Sequence, residues 1–326
     1  AARRPQTGTR RARTSGAMIA AVEIVPLQLA PAAIAIALYA RRCATLAGTP
    51  RAVPAVRQWA YCAGVVLSVG VVMSPLGTLA DELFWAHMVE HLVLADIGAL
   101  LIVLGLTGPV LAPVLRIGVF HRLQVVAHPL VAFPLWMVDL YFWHIPGPHQ
   151  AALHHDAIHA LQHLCFVFFG ANVWMCLFGP LPMPAWFTTA WKAGYILAVR
   201  LAGAALANAF LFGGSAFYGA YAAGEAAHGV TPAADQVAAG SIMMVEESLL
   251  TICLFGWLFV KAARESDERQ ELLDLAAARG VPLTPERASR AVQAGRGAEL
   301  RARIEAAPAS VARSAPPADT DRATDA

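Results

Sequence analysis

The chain has 326 residues, 58% of them hydrophobic and 14% charged, with a formal net charge of +2. A soluble protein of this size carries about 25% charged residues, so a free-standing water-soluble globule is excluded. The basic residues lie in loops and tails without clustering on a folded domain, which excludes a nucleic-acid-binding surface.

Residues 1–17 are rich in Ala and Arg, and Met18 directly precedes the first apolar stretch. They read as an upstream extension, within an N-terminal segment (1–23) expected to be disordered. Seven apolar stretches follow: 24–40, 59–79, 84–106, 125–143, 157–177, 191–212 and 237–260. Each is long enough, or nearly so, to cross the hydrocarbon core of a bilayer. Pro26, Pro31, Pro75 and Pro134 are compatible with membrane helices, because packed neighbours re-satisfy the freed carbonyls. The expected fold is an all-α membrane protein, a bundle of seven transmembrane helices over residues 24–260.

Positive charge sets the orientation. Arg41, Arg42, Arg51 and Arg57 lie in the first loop, Arg116 and Arg122 in the third, and Lys192 at the end of the fifth. Lys261 and Arg264 open the C-terminal tail, and the even loops carry no Lys or Arg. The odd loops and the C-terminus are therefore expected in the cytoplasm. Residues 261–306 read as a cytoplasmic helical tail. In it, 262–279 form one helix with Leu272, Leu273 and Leu275 on its apolar side, and Thr284-Pro285 opens another. Residues 307–326, rich in Ala, Pro, Ser and Asp, read as disordered.

This orientation gathers histidines on the extracytoplasmic side. His87 and His91 open the third stretch, His144 follows the fourth, and His159 and His163 open the fifth. Histidines at i and i+4 share one helical face and can clamp one metal ion. Met243 of the seventh stretch offers a soft sulfur at similar depth, although packing is the default for it and for Met244. Imidazole suits zinc, copper and iron, and thioether sulfur favours cuprous copper. Glu90 and Gln162 are candidate partners that orient the ligands. By contrast, His149, His154, His155 and His228 are expected to be solvated loop residues, and His121 and His128 on the opposite side to be solvated or to make structural hydrogen bonds. None of Cys43, Cys62, Cys165, Cys176 and Cys253 forms a CxxC pair, so a thiolate carrier is not expected.

Asp96, Arg200, Glu246 and Glu247 fall near the middle of their spans. An unpaired charge there is expensive. Arg200 is therefore expected to pair with Glu246 or Glu247 first and Asp96 next. The set serves either as a packing device or as an ion path. Asp139 either orients a ligand or bonds to a tryptophan.

The strings FWAHMVEHLVLADIGALLIVLG, YFWHIP, IHALQHLCFVFFGANVW and DQVAAGSIMMV resemble the CtaG-type cytochrome c oxidase assembly factors of bacteria, over about residues 74–260. The matching positions are His87, His91, His144, His159, His163, Asp235, Gln236, Gly240 and Met243. Met244 stands where the family often has tryptophan. The resemblance implies a seven-span protein of the bacterial cytoplasmic membrane that works with cytochrome c oxidase subunits, plausibly handling copper. Read from residues alone, three other functions stay open. One is a zinc hydrolase with Glu90 or Asp96 as base. The others are a copper or proton transporter using Asp96, Arg200 and Glu246, and a metal-free scaffold.

Overall fold

The computed structural model describes residues 26–118 and 122–307. The N-terminal extension, His121 and residues 308–326 lie outside that range. Every element among the described residues is helical. The chief helices are α1 (Pro26–Leu46), α2 (Ala55–Met73), α3 (Phe84–Gly105), α4 (Pro129–Trp143), α5 (Pro146–His154), α6 (Asp156–Phe178) and α7 (Thr189–Phe212). They are followed by α8 (Ala222–His228), α9 (Pro232–Ala278), α10 (Pro285–Gln293) and α11 (Gly297–Ala306).

Six of these, α1, α2, α3, α6, α7 and α9, are long and apolar enough to cross a membrane, so the chain is a multi-pass membrane protein. The expected fourth span, 125–143, is not one helix. A short helix over Leu123–Val126 stops, and α4 restarts at Pro129 with 15 residues. Proline lacks the N–H that would continue the ladder and pushes the residue before it out of the α region. His128 is accordingly extended, and its Nδ1 accepts the Leu130 N–H at 3.3 Å. Fifteen residues rise only about 22 Å, short of the roughly 30 Å hydrocarbon core. The expected second span, 59–79, also divides. Ser74 is extended at ψ 169°, its hydroxyl accepts the Leu76 N–H, and Pro75 starts a separate six-residue helix. Pro31 and Pro134, in contrast, sit inside α1 and α4.

The seventh span and the tail helix are one continuous element, α9. No proline interrupts it after Pro232, and Lys261 and Glu265 pair one turn apart across its charged stretch. The chain divides into two compact units, 1–251 and 252–326. In the second, Leu272, Ala276, Val292, Leu300 and Ile304 form the core. Thr284 caps α10 by accepting the Arg287 N–H at 3.3 Å, with Pro285 at its first position.

The first unit holds the histidines. Residues Val93–Gly98 of α3 form a π-helical turn, a local expansion that often marks functional positions. There α3 meets α6 at backbone distance. Gly170 of α6 faces the Ala95 carbonyl, and a Cβ at that position would overlap it. The Trp174 indole N–H donates to the same Ala95 oxygen at 3.2 Å. Small residues at such crossings let membrane helices approach closely. Gly170→Val therefore pushes the two histidine-bearing helices apart. It should cost about 1–3 kcal/mol by overpacking, read as a lower unfolding midpoint in detergent.

Candidate metal centre

α3 begins at Phe84 without a cap of its own, because Leu83 is extended and offers no side-chain oxygen. Asp235, at the start of α9, supplies one across 151 residues. Its Oδ2 accepts the Phe84 N–H at 2.8 Å and its Oδ1 the Trp85 N–H at 2.9 Å. Asp235 is fully buried. Gln236 holds the adjoining chain by donating to the Phe210 and Ser215 carbonyls and accepting the Phe217 N–H at 2.8 Å. Asp235 thus fixes where the first turn of α3 stands, and Gln236 ties the end of α7 and the segment after it to the start of α9.

One turn into α3, His87 and His91 lie on one face with ring centroids 4.1 Å apart. On α6, His159 and His163 repeat the spacing at 4.2 Å. The pairs oppose each other, with His87 5.5 Å from His159 and His91 5.7 Å from His163. Glu90 joins them, its Oε1 3.2 Å from His163 Nε2. Ligand atoms of His87, His91 and His159 all lie within 4.8 Å of one another, and so do those of Glu90, His159 and His163.

Glu90 had been expected to orient a ligand from beside His91. It faces His163 instead and is itself within ligating reach, because residues i and i+1 of a helix point about 100° apart. His144 stands at the edge of the cluster, 6.3 Å from His91. Its Nδ1 contacts the Leu140 carbonyl at 2.6 Å, and its own carbonyl accepts the Tyr218 hydroxyl at 2.7 Å.

His149 departs from the expectation of a solvated loop residue. It is fully buried on α5, its ring 4.9 Å from His87 and stacked on Tyr218 at 4.1 Å. Its Nε2 meets the Tyr221 hydroxyl at 2.9 Å. The segment between α4 and α6 folds back as a short helix because Pro146 opens it and Ala152 packs inward. The clue was the apolar Ala151-Ala152-Leu153 run, which a solvated loop does not need. His154 and His155 are exposed, and His228 is exposed and paired with Glu82 at 2.7 Å.

The remaining expected residues lie elsewhere. Met243 packs with Phe84, Met88, Leu206 and Phe210 in an apolar cluster. Asp139 is buried and takes a hydrogen bond from Trp143, which is the tryptophan role rather than the ligand role. Arg200 Nη2 bonds Asp96 Oδ1 at 3.1 Å, and Nη1 lies 3.8 Å from Glu246 Oε2. The nearest partner is thus Asp96 and not a glutamate: the π turn of α3 presents the Asp96 carboxylate to α7. Gln162 is fully buried, and neither its amide oxygen nor its nitrogen has a partner.

The cluster is chemically unfinished. Both ring nitrogens of His87 and His91, Nδ1 of His163 and Oε2 of Glu90 are buried without a hydrogen bond, and His163 Nε2 and Glu90 Oε1 have only their 3.2 Å contact with each other. Leaving one such atom unsatisfied costs about 1–3 kcal/mol, so this many gathered between α3 and α6 point to a ligand that satisfies them. Four imidazoles and one carboxylate are the donor set of copper or zinc, and the residues fit such an ion.

Just outside the spans, burial pushes His144 down to about 4. Burial, then the adjacent His144, pushes His149 down to about 3. A histidine held neutral in the fold binds fewer protons than in the unfolded chain. Its contribution is therefore complete above the unfolded value near 6.5 and fades as pH falls toward the folded one. The unfolding midpoint should drop between about pH 6 and pH 3. A His149→Phe variant should show a shallower drop, read by tryptophan fluorescence.

The family model described as cytochrome c oxidase caa3 assembly factor (Caa3_CtaG) matches residues 37–265. Comparison with curated proteins gives no match, and comparison with solved structures gives none.

Proposed function

The chain belongs to the cytochrome c oxidase caa3 assembly factor family, and from that membership we propose that it serves the oxidase by holding copper between α3 and α6. The ligands are drawn from His87, His91, His159, His163 and Glu90, with His144 and His149 bordering them. The carrying observation is the convergence of these side chains from two membrane helices, with most of their ligand atoms buried and, the Glu90–His163 contact aside, without a polar partner.

Copper is cargo in this reading, passed to an oxidase subunit. The arginine-rich odd loops support a cluster near the outer face of a bacterial cytoplasmic membrane. Imidazoles must be neutral to ligate, so filling the site releases protons and uptake weakens as pH falls through the histidine range. Zinc is the alternative ion, supported by the Glu90–His159–His163 set, since carboxylate with imidazole is a common zinc environment.

Elemental analysis of protein purified in detergent, after cuprous and zinc supplementation in parallel, tests the proposal. Wild-type protein should retain copper and His87→Ala/His163→Ala should retain almost none. Equal copper in both would refute it.

A further inference from the structure

The five candidate ligands do not form one group. They form two triads, His87–His91–His159 and Glu90–His159–His163, with His159 common to both. We propose that these are two alternative seats for a single cation, that His159 is the pivot between them, and that the charge of the ion selects the seat. This rests on the metal-handling reading above and adds to it a mechanism of admission and choice.

The geometry separates the seats. Neither triad of ligand atoms lying within 4.8 Å of one another holds His91 together with His163 or His87 together with Glu90. Burial separates the roles. His87, His91, Glu90 and His163 are all buried, whereas His159 is only half-buried. An ion arriving from outside meets His159 first, and His159 belongs to whichever triad then closes.

Charge distinguishes the destinations. The first triad is three neutral imidazoles and leaves the charge of the ion uncompensated. The second brings the Glu90 carboxylate, which cancels one unit. Burying net charge is costly and the cost rises with the charge. A monovalent ion therefore suits the all-imidazole seat, and a divalent ion suits the carboxylate seat. Donor hardness points the same way, since carboxylate is the harder ligand. Cuprous copper should rest on His87, His91 and His159, and zinc on Glu90, His159 and His163.

The test is a pair of competition titrations on the full-length protein in detergent, one with cuprous ion and one with zinc, each against a chromogenic chelator. X-ray absorption at the metal edge counts bound imidazoles. Glu90→Gln and His163→Ala, which report independently on one seat, should each weaken zinc at least about tenfold and leave cuprous ion nearly unchanged. His87→Ala and His91→Ala should do the reverse, and His159→Ala should weaken both. The imidazole count should be three for cuprous ion and two for zinc. Parallel loss of both ions in all five variants would mean one undivided site and would overturn the two-seat scheme while leaving metal binding intact. Wild-type protein that takes up neither ion would overturn the underlying metal-handling reading as well.

Discussion

Arg200→Gln should be the most damaging single substitution in the membrane unit, costing about 3–5 kcal/mol, the scale for breaking one partner out of a buried ion pair. Arg200 is 6% exposed and draws on three helices. Its guanidinium bonds Asp96 of α3 at 3.1 Å, lies 3.8 Å from Glu246 of α9, and sits 5.6 Å from the Trp174 ring of α6. Without it, Asp96 and Glu246 remain in an apolar interior with no cation between them. The expected readouts are a much lower unfolding midpoint in detergent and poor accumulation in the membrane. Adding Asp96→Asn to Arg200→Gln should restore a large part of the loss, because the stranded carboxylate is what makes the single variant so costly. A single variant with an unchanged midpoint would show that the trio contributes nothing to packing.

That trio also marks how far the sequence could be read. Apolar run length located the six helices long enough to span, because a membrane span is defined by length and composition and hardly by tertiary context, but it did not show that α9 runs on through the charged tail. The i, i+4 spacing likewise put His87 with His91 and His159 with His163, since helical geometry alone sets those pairs. Pairing across helices was less legible. The sequence favoured Glu246 or Glu247 for Arg200, with Asp96 next, because an ideal helix gives no reason to prefer Asp96, and the π turn over Val93–Gly98 re-aims it. The break at Pro129 was missed for the opposite reason. Proline had been treated as permissive throughout, yet it is permissive only where the preceding residue can stay helical. His149 was hidden because a polar segment between two spans reads as solvent-exposed. The Ala151-Ala152-Leu153 run was a hint that α5 turns inward, and the fold lays His149 against Tyr218 and Tyr221.

Asp235→Ala is the second large effect, and it bears on the site from a distance. The carboxylate, fully buried, accepts two N–H groups at the start of α3. A cap deletion usually costs about 0.5–2 kcal/mol, and hydrogen bonds to a charged group are worth about 1.5–3 each. A loss of about 2–4 kcal/mol is therefore expected. The orphaned amides belong to Phe84 and Trp85, and His87 is the next residue but one. Fraying of that first turn moves an imidazole without touching it. Two measurements separate this from ligand loss. Amide hydrogen exchange at Phe84 and Trp85 should rise sharply in Asp235→Ala and stay protected in His87→Ala, while metal affinity should fall in both. Asp235→Asn should fall between Asp235→Ala and wild type, because its amide keeps one acceptor oxygen but turns an NH2 toward the second donor. Unchanged exchange in Asp235→Ala would show that α3 starts without the cap, and the ligand geometry would then have to be held by the α3–α6 contact at Ala95 and Gly170 alone.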